Sequence, residues 1–329
     1  MSGGEAMSER RPVGEPRTAQ GDDLVVPFRT VRSGVSGRLV RLGAVADTIL
    51  KRHDYPDPVS EALGQALALT AMLGSALKFD GRLIVQTKTD GLLGLLVVSC
   101  EAPGRMRGYA SYDRDRWAEI AREGRVPGQG ELLGSGHLAM TIDPGPGMER
   151  YQGIVALSRE SLGVAALTYF RQSEQLPTYL RLAVARHYAA GEGWHWRAGG
   201  LMVQYLTRQG GVERPPAESE ADEQRLTGED SEDWQRVRLL AATVEDHELL
   251  DPTLTPERLL YRLFHEEGVR VRPPHDIVER CRCSRERVTT FLKSFGAGEL
   301  ADMREPDGGV SVTCEFCNTT YRFAPEEIG

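Results

Sequence analysis

Apolar positions along the chain alternate between a two-residue and a near-four-residue period. Val25, Val26, Phe28 and Val31, then Leu39, Val40 and Leu42 beyond Gly34 and Gly37, predict two strands, with a helix after them. Pro58 opens a longer helix in which Leu63, Leu67, Ala71, Leu73 and Leu77 follow a period near 3.6 until Phe79-Asp80-Gly81 turns the chain. Leu83 to Thr89, Leu92 to Cys100 and Arg107 to Tyr112 predict strands joined by Gly-containing turns. Arg114 to Gly136 is polar and carries no readable period, so no element is predicted there. Strands resume at His137 to Ile142 and Tyr151 to Ser158. Glu160 to Gln172 predicts a helix burying Leu162, Ala165, Ala166, Tyr169 and Phe170, stopped by Leu176-Pro177. Leu180 to His187 and Leu201 to Leu206 predict closing strands. Residues 23–209 therefore read as an α+β core domain, a mainly antiparallel sheet with packed helices.

The pattern changes at Gly210. Up to Asp233 the chain has Pro215-Pro216, nine acidic side chains and few apolar ones, too little to offset the entropy of ordering. Helical spacing returns at Trp234, Val237, Ala241 and Val244, and at Leu259, Leu263 and Phe264 behind the Thr255-Pro256 start signal, with Gly268 as the stop. Residues 210–268 thus form an acidic segment and helical linker. In 269–329, Val269 and Val271 alternate with arginines before Pro273-Pro274. Val288, Phe291, Leu292 and Phe295 predict a helix ended by Gly296, and Val310 to Thr313 and Thr320 to Phe323 predict a hairpin. Residues 1–22 are polar, lack the apolar core of a secretory signal, and read as a disordered tail.

A chain of 329 residues with 40% hydrophobic content can bury a sizeable core. Its 40 basic and 48 acidic residues give a net charge of -8, which argues against nonspecific attraction to nucleic acid or to anionic membrane. Apolar runs such as Leu92 to Val98 are too short to span a bilayer. A soluble intracellular protein is expected, in a compartment where paired cysteines serve as metal ligands or redox groups rather than permanent staples.

Four of the 5 cysteines stand in two pairs, Cys281-Arg282-Cys283 and Cys314-Glu315-Phe316-Cys317. Two such pairs, far enough apart for the chain to fold back, suit a tetrahedral zinc site with four thiolates. The spacing alone leaves a purely structural zinc ribbon and a redox-active site both open. Three features favour the second. Arg280, Arg282, Arg285 and Arg287 flank the first pair and should favour thiolates. A disulfide within Cys281-Arg282-Cys283 would close a very small ring, the labile kind. Bridging within each pair would contribute only about 3.5 kcal/mol together in the chain-entropy model, against roughly 10 to 16 kcal/mol for a structural zinc, so oxidation should unfold the zinc unit and uncover the amphipathic helices before it. Cys100, at the end of an apolar run, reads as an inert buried thiol.

Signatures of catalysis are scarce. None of the lysines at 51, 78, 88 and 293 follows a glycine, so there is no phosphate-binding Walker loop. His265-Glu266-Glu267 lacks the second histidine of a helical zinc protease, and no G-x-S-x-G occurs.

The two cysteine pairs, together with His53-Asp54-Tyr55-Pro56, Leu77-Lys78-Phe79-Asp80-Gly81, Glu149-Arg150-Tyr151-Gln152-Gly153, Arg171 to Thr178 and Leu263-Phe264-His265-Glu266-Glu267, resemble the redox-regulated holdase chaperones of the 33 kDa heat-shock protein (33 kDa chaperonin) family over about residues 24–325. The resemblance implies a reduced, zinc-bound, inactive monomer, with Cys281, Cys283, Cys314 and Cys317 as ligands. It implies that peroxide or hypochlorous acid, with heat, forms the disulfides Cys281 to Cys283 and Cys314 to Cys317, releases Zn2+ and melts the linker. A homodimer then holds unfolding client proteins in the cytoplasm without ATP, and no enzyme activity, nucleic acid or membrane is involved. The polar N-terminal extension and a longer acidic segment depart from the family pattern. Two other readings are a zinc-ribbon adaptor or nucleic-acid binder, which would need a basic face, and a thiol-disulfide oxidoreductase, which would need turnover.

Overall fold

In the computed structural model, residues 22–77, 79–145, 147–205 and 231–328 are described. The N-terminal stretch 1–21, Leu206 and the acidic run 210–230 lie outside them. β1 (Leu24–Thr30) and β2 (Ser36–Leu42) form the first hairpin, followed by α1 (Ala44–Leu50) and α2 (Asp57–Gly74). β3 (Arg82–Thr89), β4 (Leu95–Glu101) and β5 (Arg105–Ser111) make a meander. α3 (Arg114–Arg122) and α4 (Gln129–Leu133) then lead to β6 (Ser135–Asp143), β7 (Tyr151–Ser158) and α5 (Leu162–Tyr169). β8 (Thr178–Ala189) and β9 (Gly193–Gln204) form a long hairpin.

These strands build two 6-stranded sheets. Sheet 1 has the order β10-β1-β2-β9-β8, with β10 (Val269–Val271) and β11 (His275–Asp276) both pairing β1. Sheet 2 runs β12-β5-β4-β3-β6-β7, with β12 (Val278–Glu279) added parallel to β5. The remaining pairings are antiparallel, so the α+β, mainly antiparallel architecture stands. α2 lies between the sheets, and Leu63, Leu67, Leu69 and Met72 are buried on different sides of it. A helix flanked by two sheets is apolar nearly all round, which is why this one carries so few charges.

The structure differs from the sequence expectation in several places. Arg114 to Gly136 holds two helices: Asp113 caps α3, accepting from the backbone N–H groups of Asp115 and Arg116 at 3.1 and 3.0 Å. The expected helix 160–172 is α-helical only over Leu162–Tyr169 and finishes in a π-helical turn to Glu174, after which Gln175 adopts a left-handed conformation. Leu92 and Leu93 precede their strand, β9 begins eight residues before Leu201, and a short helix Asp246–Leu250 stands between the two expected linker helices. The stretch 269–279, expected with the C-terminal unit, supplies strands to both core sheets.

The helices Glu232–Ala242, Asp246–Leu250 and Pro256–Phe264 lie on the outer face of sheet 1. Val26, Phe28, Leu39, Leu201 and Val203 from the sheet are buried with Trp234, Val237, Leu259, Leu260, Leu263 and Phe264 from the helices. Phe28 and Phe264 stack with ring centroids 5.4 Å apart. Polar anchors fix the cover. Buried Arg41 of β2 donates from Nη1 to Leu254 O and from Nη2 to Glu248 O, the latter at 2.8 Å, holding the last turn of one cover helix and the residue before the cap of the next. Arg236 meets the buried Glu267 carboxylate at 2.5 Å, and its charge, outweighing burial, holds that carboxyl below the ordinary range. No helix among the described residues is long and apolar enough to cross a membrane.

Candidate metal centre

Leaving β12, Arg280 donates its N–H to Met106 O at 2.9 Å, which delivers Cys281 and Cys283 from the edge of sheet 2. Ser284 ends this segment and caps the helix Arg285–Leu292. The second pair sits at the tip of the hairpin β13 (Val310–Thr313) and β14 (Thr320–Phe323). Cys314 N–H donates to Thr319 O at 2.9 Å and Asn318 N–H to Cys314 O at 2.7 Å, with Asn318 in the left-handed region that closes such a knuckle. Beneath it is a small core of Leu292, Leu300, Val310 and Phe323.

The fold brings all four predicted thiols together, with every Sγ within 4.8 Å of the others. Cys281 Sγ lies 3.7 Å from Cys314 Sγ, and Cys283 Sγ 3.2 Å from Cys317 Sγ. Four thiolates about 2.3 Å from one tetrahedral ion would stand roughly 3.8 Å apart. The cluster is within reach of that spacing, and an all-sulfur donor set suits a soft or borderline metal ion. These four residues could therefore hold a metal.

The thiols are not equivalent. Burial and the neighbouring thiols push Cys283 up to about 12, although Tyr321 Oη lies 3.2 Å away as a donor. Burial raises Cys314 as well. At Cys317 burial acts in the same direction but is outweighed by the hydroxyl of Thr319, 3.3 Å away, the adjacent thiols and the Thr319 backbone, leaving it at about 7. Cys317 is thus where the first thiolate of the cluster forms, and the thiolate is the form that binds metal and attacks oxidants. Cys100 is the opposite case: buried between α2 and β4, its thiol is pushed up to about 12.

Three of the four arginines beside the first pair serve other partners. Arg282 pairs with Glu101 at 3.4 Å, Arg285 with Glu327 at 2.7 Å while lying over Phe323, and Arg287 donates to Arg282 O at 2.8 Å. Arg52 of the core, held by Glu279 at 2.8 Å, lies close enough to feel the charge of Cys317 and Cys281. Nothing in the local spacing pointed to Arg52, because it is brought in by tertiary folding.

The cysteine hairpin also rests on sheet 2. Arg107 of β5 lies 4.0 Å from the centroid of the Phe316 ring, and Tyr109 packs on the same ring at 6.2 Å. Asn318 Nδ2 donates to Arg52 O at 3.3 Å. Tyr109 meets His53 at 5.5 Å and His53 in turn meets Tyr55 at 5.2 Å, so the cysteine knuckle and the start of α2 are joined by one aromatic chain. A ring between two cysteines has no ligand role and needs cover, which was the available signal. Phe316→Ala should therefore loosen the hairpin without touching a thiol. The expected result is faster transfer of a loaded metal ion to a chelator at elevated temperature, with the same metal content at rest. An unchanged transfer rate would show that the contact does not restrain the knuckle.

Comparison with known proteins agrees with this construction. The family model described as Hsp33 protein matches residues 23–324. The 33 kDa chaperonin of Caulobacter vibrioides is 43% identical over 310 residues, 94% of this chain and 97% of that protein. That of Serratia proteamaculans is 37% identical over 294 residues, 89% of each. A crystal structure of the 33 kDa chaperonin from Thermotoga maritima shares the fold with a TM-score of 0.70 at 22% identity, covering 93% of this chain and 96% of that one. A four-thiol knuckle on a two-sheet core, a helical cover and a family match over nearly the whole chain lead to one assignment: this chain belongs to the Hsp33 family of 33 kDa chaperonins, a family of chaperones.

Proposed function

We propose that the protein is an ATP-independent cytoplasmic holdase switched by oxidation, without enzyme activity of its own. The observation that carries the reading is the cluster of four thiols within 4.8 Å, resting on the core through Phe316 and Arg107. Cys281, Cys283, Cys314 and Cys317 would hold one Zn2+, which when bound keeps the thiolates ionised and ties the two ends of the small subdomain together. Three units follow from this reading: the core 23–209, joined by the strands of 269–279; the acidic segment and helical cover, 210–268; and the cysteine subdomain.

Oxidation begins on the clustered thiolates, the form that attacks oxidants. One hydrogen peroxide accepts two electrons from a pair of thiolates and two protons from solvent, becomes two waters and leaves one disulfide. A second equivalent does the same at the other pair. The proposed products are Cys314 to Cys317 and Cys281 to Cys283, the pairing that the resemblance to the family implies. With the four ligands spent, the strands of 269–279, which tie the cysteine subdomain to both sheets, lose their downstream anchor, and with them the helices over sheet 1, whose last member leads directly into Val269–Val271. At elevated temperature they release the apolar face they cover, and such a face binds unfolded protein. The oxidised chain pairs with a second copy.

Peroxide titrated at elevated temperature into zinc-loaded protein tests this. Metal release, loss of four thiols and protection of a heat-denatured client should rise together and reverse with a dithiol. Retained zinc, or metal loss with no protection, would leave a structural ribbon and an adaptor role.

A further inference from the structure

Past the C-terminal end of α2 the two sheets diverge and leave a cavity of about 750 Å3 between them. Its floor is apolar: Leu73 and Leu77 at the end of α2, Leu83 and Met140 on sheet 2, and Phe170 and Leu176 after α5. The rim on sheet 1 is cationic. Pro27 of β1 faces the cavity with Arg38 directly opposite on β2. On the other side of Pro27 stands Arg272, whose backbone N–H donates to Pro27 O at 2.8 Å. The two guanidinium groups thus occupy one rung and one face of the sheet.

Among the described residues neither side chain has a hydrogen bond or an ion pair, and Arg38 Nε is shut off from solvent. Burial and the charge of Arg272 both push Arg38 below its ordinary value, so the two cations stand together at an electrostatic cost that an anion would relieve. Glu174, the carboxylate in the wall, is engaged by Tyr169 Oη at 3.0 Å. An apolar chamber of this size with convergent cations at one edge has the form of a small-molecule site.

We propose that the cavity binds a single-chain amphiphile with a carboxylate head, a long-chain fatty acid, the head on Arg38 and Arg272 and the chain along Leu73, Leu77 and Met140. Guanidinium and carboxylate match in planar, two-pronged geometry. An unfolded polypeptide fits less well, because its backbone N–H and C=O groups would lie against a floor with few partners. The site is independent of the cysteine cluster and is present in the reduced protein.

The probe is cis-parinaric acid, titrated below its aggregation concentration into the reduced, zinc-loaded full chain and followed by its fluorescence. One molecule per chain should bind. Arg38→Met and Arg272→Gln should each weaken binding by about tenfold or more, as loss of a charge-assisted hydrogen bond does, and the methyl ester should bind correspondingly worse. Ala76 is exposed on the cavity wall, and Ala76→Trp should abolish binding by filling the chamber. Equal affinity for acid and ester, or indifference to Ala76→Trp, would overturn the proposal even if an arginine variant failed to fold. Displacement of the probe by a permanently unfolded, carboxymethylated protein would also overturn it, making the cavity part of a client surface.

Discussion

Serine in place of Cys317 is expected to strip the protein of its zinc, unfold the cysteine subdomain and make the chain a holdase at heat-shock temperature with no oxidant present. Among the described residues the subdomain's apolar core is Leu292, Leu300, Val310 and Phe323, with Val288, Phe295, Val312 and Tyr321 partly covered around them. A core of that size cannot hold about fifty residues folded by hydrophobic burial. A structural zinc contributes on the order of 10 to 16 kcal/mol of apparent folding free energy in small domains, so the metal term is the larger by a wide margin. Cys317, whose thiol is lowered to about 7, is one of the four proposed ligands, and its loss leaves three. Zinc bound per chain and amide exchange over residues 281–328 measure the outcome. Cys100→Ser is the control: its thiol, up at about 12 and buried, should alter neither. A Cys317→Ser protein that keeps one zinc and a protected hairpin would remove Cys317 from the ligand set.

How much of this was visible in the sequence depends on whether the determining contact is local. The cysteine spacing was legible because coordination chemistry fixes it, and the hairpin around Cys314 and Cys317 because its alternation is confined to four residues a side. α2 was legible from its length and period even though it faces two sheets. α3 was not: Ile120 is its one buried residue, so its apolar stripe is too narrow to show a period, and only the Asp113 cap marked it. β9 was hidden for a different reason. Its centre is Gly199-Gly200, which reads as a loop, yet a Cβ on Gly199 would stand 2.7 Å from Leu249 O of the helical cover. The glycine is there to let a helix backbone approach the sheet. That requirement comes from a segment fifty residues downstream, and Val269 and Val271 find their partners Thr30 and Phe28 near the opposite end of the chain. Arg52 and Arg107 were missed on the same ground. Each acts on the cysteine knuckle across more than two hundred residues of chain.

Phe264→Ala is expected to uncouple the cover from the metal, giving a chain that keeps its zinc yet holds clients under reducing conditions. Phe264 is fully buried, stacked on Phe28 and surrounded by Leu259, Leu260 and Leu263 of the helical cover and by sheet 1. Truncating a buried phenylalanine costs about 3 to 5 kcal/mol, a large share of what helices this short can gain by docking, since their own propensity supplies little. The loss falls on the cover rather than on the space between the sheets, because α2 and its neighbours form a separate buried cluster. The variant should therefore bind an apolar dye, lose amide protection across residues 232–264 and suppress client aggregation with dithiol present and one zinc per chain. Together with Cys317→Ser this separates two layers of control. If loss of metal activates only by freeing the cover, the two variants should protect a client equally well, and oxidising Phe264→Ala should add little. If Phe264→Ala opens the cover and still fails to hold clients, the outer face of sheet 1 is not the client surface, and the surface must then be one that zinc loss alone exposes, such as the Tyr109 and Arg107 face beneath Phe316.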